Sequence, residues 1–108
     1  MTNVNRTWPG CPDRSVLLVG DAKDSETPGC SETFRRLSRY GRAVRGLVAE
    51  GLAVRIVICH GDPLSEKAWQ ATLLRLAAFV GLTVLGRPQS DRLDAVTSVT
   101  WVDLGRAV

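Results

Sequence analysis

Lysine is scarce in this chain: Lys23 and Lys67 are the only two among 14 basic residues, and the rest are arginine. Histidine occurs once, at His60. Cysteine is sparse as well, at Cys11, Cys30 and Cys59, with no CxxC pair and no Cys/His ligand spacing. That pattern excludes a zinc ribbon or finger, and an odd, low count fits a reducing compartment. No run approaches the roughly 18 apolar residues of a membrane span. The opening MTNVNRTWPG lacks the apolar core of a signal peptide, so a cytoplasmic location and no membrane partner are expected. There is no GxGxxG phosphate loop, since Gly20 stands alone, and no internal repeat or low-complexity tract.

What is present reads as one globular α/β domain over the 108 residues, with 1–14 as a flexible lead-in on which Trp8 is a candidate anchor. The net charge of +3 permits a polyanionic partner without requiring one. Val16, Leu17, Leu18 and Val19 form a short apolar run bounded by turn residues, which predicts a strand buried on both faces. It ends in Gly20-Asp21-Ala22-Lys23, so Asp21 and Lys23, two residues apart, share one face at the strand's carboxyl end. In α/β sheets that edge is where ligands bind. A polar loop follows, with Pro28-Gly29 as its turn.

A helix is predicted over 31–50, with Ser31 as N-cap and Gly51 after its end. Phe34, Leu37, Gly41, Val44 and Val48 make its core stripe, where Gly41 allows close approach to a sheet. Arg35, Arg36, Arg39, Arg42 and Arg45 occupy the opposite face. They read first as a solvated helix face, since no aromatic residue interleaves them to stack bases, and second as a patch for phosphates. A second strand, 52–59, should lie parallel to the first by the handedness of βαβ units, which brings Cys59, His60 and Asp62 near Asp21. His60 reads as a general base, a metal ligand or a hydrogen-bonded structural residue. Asp62-Pro63 caps a second helix over 63–80, whose Ala68, Trp69, Leu73, Leu76, Ala77 and Val80 face the core with Leu74, Ala78 and Phe79 beside them. So apolar a helix either packs deeply or contacts another chain, so a homodimer through it is one expectation. A short strand at 82–85, a loop at 86–94 and a half-exposed edge strand at 96–104 complete the order β-α-β-α-β-β, with a mainly parallel sheet in two or three layers.

The stretch VLLVGDAK, closing a strand before an amphipathic helix and another strand, resembles the second half of the PD-(D/E)XK nuclease core. Asp21-Ala22-Lys23 matches its acid-x-Lys element, and Tyr40 matches the tyrosine of the Gln-x-x-x-Tyr found in the RecB-like branch, where Arg36 replaces the glutamine. The resemblance implies a restriction-endonuclease-like fold and a DNA-cutting or DNA-binding domain. It implies Asp21 as a Mg²⁺ or Mn²⁺ ligand and Lys23 facing phosphate or water. His60 and Asp62 would be accessory, and Arg35, Arg36, Arg39 and Arg42 would contact nucleic acid. The match spans only residues 15–60, which implies a truncated or inactive member. Pro12-Asp13 resembles the family's "PD", but on one extended strand Asp13 and Asp21 stand roughly 25 Å apart, too far to share a metal. Two rivals stand beside this reading: a small Rossmann-like module that binds a nucleotide or other ligand, and a non-catalytic dimerising protein.

Overall fold

The computed structural model describes residues 2–4, 15–22, 27–61 and 65–106, without the side chains of 2–4 and Arg42. Trp8, Cys11, Asp13, Lys23, Asp62 and Pro63 lie outside the described residues. The elements run β1 (Thr2–Val4), β2 (Ser15–Asp21), α1 (Ser31–Ser38), α2 (Gly41–Ala49), β3 (Ala53–His60), α3 (Glu66–Val80), β4 (Thr83–Val84), β5 (Gln89–Arg92) and β6 (Ser98–Gly105). No described helix is long and apolar enough to cross a membrane.

The βαβ expectation holds. β2 and β3 are adjacent and parallel, from Ser15 opposite Ala53 to Asp21 opposite Cys59. The mainly parallel sheet does not form. The order is β1-β2-β3-β6-β4, with β5 also on β6, and β2–β3 is the only parallel pairing among the described residues. Residues 2–4 of the supposed lead-in supply β1, which occupies the outer edge of β2.

β6 is an interior strand and not the half-exposed edge its alternating sequence suggests. β3 flanks it on one side, and β5 and then β4 flank it on the other. The reason is local. Residues 89–92 of the expected loop pair as β5, and the turn into β6 is closed by Asp94, whose carboxylate accepts hydrogen bonds from the Val96 and Thr97 amides at 2.8 Å. Those bonds hold the Asp94 carboxyl below the usual carboxylate range.

Alternation along the strands separates the two faces of the sheet. Val16 and Leu18 of β2, Val54, Ile56 and Ile58 of β3, and Val102 and Leu104 of β6 form one buried cluster with the helices. The next residues along, Leu17, Val19, Arg55, Val57, Trp101 and Asp103, are half-buried on the other face. There Arg55 donates to both carboxylate oxygens of Asp103, at 2.7 and 2.9 Å, and its guanidinium lies over Trp101.

The predicted 31–50 helix forms with a kink. Arg39 and Tyr40 make a tight turn, their amides bonding three residues back to the Arg36 and Leu37 carbonyls. Ser38 adds a back-bond from its hydroxyl to the Arg35 carbonyl at 2.8 Å, a geometry that bends helices. Cys30, not Ser31, occupies the N-cap position. The far end is as read: Gly51, at φ 89°, and Leu52 donate back to Val48 and Leu47, a Schellman close, and Gly81 and Leu82 end α3 in the same way. Leu37, Gly41, Val44 and Val48 are buried as expected, but in α3 Ala68 is exposed and Thr72 takes a buried place.

Gly41 permits close approach to a helix and not to the sheet. A Cβ there would collide with Cγ1 of Val80 on α3. Gly41→Ala should therefore lower stability by up to about 2 kcal/mol, because overpacking of about 1–3 kcal/mol opposes a gain in helix propensity of about 1 kcal/mol. Urea unfolding checks this: adding Val80→Ala to Gly41→Ala should cost less than Val80→Ala costs in the wild-type background. Equal costs would show that the two positions do not touch.

Candidate functional site

The kink gathers part of the arginine face into a concavity. Arg35 and Ser38 come from the last turns of α1, Arg39 from the turn, and Gly41 and Arg45 from α2. The end of α3 closes the other side with Phe79 and Val80. Together these residues line an open cleft of about 610 Å³. No described carboxylate lines it.

Two of the expected nucleic-acid contacts, Arg35 and Arg39, are in this cleft. Arg36 is not among its lining residues, Arg45 is, and the side chain of Arg42 lies outside the description. The aromatic residue that lines the cleft arrives from another element. Phe79 is 68% exposed and meets Phe34 of α1 edge to face, with ring centres 5.6 Å apart. Arg75 lies over the ring of Phe34, 4.8 Å from its centre. Phe79 was legible as an apolar residue beside the α3 core stripe. Its meeting with arginines more than thirty residues away was not.

Asp21 is exposed at the carboxyl end of β2. Its strand neighbour is Cys59, and the Ala22 amide donates to the Cys59 carbonyl at 2.8 Å. Burial pushes the Cys59 thiol up, and the negative charge of Asp21 and a hydrogen bond to it push the same way.

His60 departs from the expected grouping. One residue beyond Cys59, it points to the opposite face, 5% exposed in the helix-covered side of the sheet. Its ring stacks on Trp69 with centres 5.7 Å apart, and its Nε2 shares a 2.8 Å hydrogen bond with the Thr100 hydroxyl. The chain continues from Thr100 to Ser90 at 2.7 Å and to the Gln70 amide at 3.0 Å. His60 thus belongs to a polar chain that ties β3, β6, β5 and α3 together, which is the structural role weighed from sequence. Ser90, Thr100 and Gln70 carried no local signal for it. Tyr40 is half-buried in the kink.

Asp21 is not among the residues that line the cleft. α3 delivers Phe79 and Val80 just before β4, where Val84 opposes Leu104, which opposes Val54. Asp21 opposes Cys59, five residues further along β3, or about 17 Å. Among the described residues no group of three His, Cys, Asp or Glu side chains could hold a metal ion, and Asp21 is the one carboxylate at its strand end. The described residues alone therefore do not make the implied Mg²⁺ or Mn²⁺ site. Lys23, expected to face phosphate or water beside it, and Asp62, an expected accessory residue, lie outside the description.

Comparison of the chain with protein-family models, curated proteins and solved structures found no match.

The Asp21–Cys59 contact has a measurable signature. In a Cys11→Ser/Cys30→Ser background, the pH midpoint for alkylation of Cys59 should fall when Asp21 becomes Asn, because the removed charge favours the protonated thiol. A midpoint that does not move would separate the two side chains.

Proposed function

We propose that this chain is a nucleic-acid-binding α/β domain and that the arginine cleft is its contact surface. One observation carries the reading: three guanidinium groups from both sides of a helix kink line one concavity with an exposed aromatic ring, and no described carboxylate lines it. Guanidinium groups suit phosphate oxygens because their forked donors match that geometry. Arg35, Arg39 and Arg45 would hold phosphates by charge and hydrogen bonds, with the release of counterions as a main source of affinity. This keeps the DNA-binding half of the sequence expectation and moves its residues, with Arg45 entering and Arg36 leaving. The test is fluorescence anisotropy with labelled DNA, single-stranded and annealed, over a series of salt concentrations. Affinity for at least one form should fall steeply with salt. Replacing Arg35, Arg39 and Arg45 together with Gln should flatten the log–log slope by about 2–3, the share of three phosphates. Absence of binding at low salt, or an unchanged slope, would return these arginines to a solvated helix face.

A second reading, the Mg²⁺- or Mn²⁺-dependent nuclease with a restriction-endonuclease-like core, is favoured by the exposure of Asp21 at the carboxyl end of a parallel strand. It requires ligands beyond Asp21. On this reading millimolar Mn²⁺ raises the wild-type melting temperature and leaves that of Asp21→Asn unmoved. A wild-type midpoint that ignores the metal would end it.

A further inference from the structure

Charge alone does not account for the arginine cleft, because Phe79 is out of place in a purely electrostatic surface. We infer that the cleft takes a single nucleic-acid strand, with one unpaired base stacked on Phe79 and the neighbouring phosphates held by Arg35, Arg39 and Arg45. This rests on the nucleic-acid reading above and names the form of the ligand.

Three observations carry it. First, Phe79 leaves 68% of its surface to solvent while lining the same hollow as the three guanidinium groups. A lone exposed apolar residue is ordinary. A ring set among cations in a hollow that no described carboxylate lines is the combination that single-strand binders use, cations for the backbone and a π-face for the base.

Second, the ring is held in place. Phe34 meets it at 83°, and the Arg75 guanidinium lies over Phe34 in turn. Phe34 is half-buried between these neighbours, so Phe79 is the ring presented to a ligand. A supported ring loses little freedom when a base stacks on it.

Third, the shape suits a strand better than a duplex. The cations line a hollow of about 610 Å³, within the range of sites that enclose small groups. Reading a duplex requires an element that protrudes into a groove. A duplex also keeps its base faces inside the stack, where Phe79 has nothing to meet. It could engage this surface only through phosphates, and then the ring would contribute nothing.

A free nucleotide offers the same base-plus-phosphate chemistry. The distinction is reach, because arginines spread over α1, the turn and α2 match phosphates strung along a chain.

The experiment compares labelled oligo-dT, oligo-rU and a DNA duplex of equal length, with wild type, Phe79→Ala and Phe79→Trp, and uses unlabelled TTP as competitor. Wild type should bind at least one of the single strands about 10-fold or more tightly than the duplex. Phe79→Ala should weaken strand binding by about 10-fold and leave duplex binding unchanged, while the loss of its contact with Phe34 lowers the melting temperature by only a few degrees. Phe79→Trp should restore the preference, and TTP should compete poorly per molecule. Equal affinity for strand and duplex, both lowered by the arginine substitutions and indifferent to Phe79, would overturn the single-strand inference and leave the nucleic-acid reading standing. TTP competing as well as the strand would replace the strand with a nucleotide. Failure of every nucleic acid to bind at low salt would overturn both.

Discussion

The fold depends on the period-2 burial of β3. Val54, Ile56 and Ile58 lie within 1% of complete burial beneath the helices, and β2 and β6 align their own apolar residues with that row. Every other assignment follows from it. A side chain one position off the row points away from the helices, so Cys59 joins Asp21 and His60 does not. The row also forces polar groups into the interior wherever the strand continues past its aliphatic part. At His60 the structure answers with a hydrogen bond between Nε2 and the Thr100 hydroxyl, which Ser90 and Gln70 extend, so that this nitrogen and the Thr100 and Ser90 hydroxyls are not buried unpaired, which would cost a few kcal/mol.

The domain also carries two chemically different regions. Asp21 stands at the carboxyl end of β2 opposite Cys59, and it is not among the residues that line the arginine cleft. The acid-x-Lys resemblance concerns the first region and the electrostatic surface concerns the second, and the two readings therefore answer to independent tests.

Much of this was legible where the determinants are local. The apolar run at 16–19, the stripe through Leu37, Gly41, Val44 and Val48, and the glycines at 51 and 81 each encode their own geometry, and the parallel pairing follows from chirality. The kink was not legible, because residues 38–40 contain neither Gly nor Pro, and a serine back-bond is invisible to periodicity. The interior place of β6 was missed because Ser98 and Thr100 look like surface residues, and their burial depends on pairing with β3 and β5. Phe79 and the arginines come together only when α1, α2 and α3 pack. Lys23 and Asp62, on which much of the sequence argument for chemistry turned, lie outside the described residues.

Among the described residues the two borders of the sheet are short: three residues in β1 on one side, and two in β4 and four in β5 on the other. The long apolar strand β3 and the eight-residue β6 are both inside. Short outer strands, one of them the polar sequence QSDR, offer a neighbouring molecule too few free backbone groups to extend the sheet. The small segment 83–97 thus acts as a guard. If it detached, β6 would present a run of unpaired amides and carbonyls with Trp101 and Val102 along it, the kind of edge from which intermolecular sheets grow.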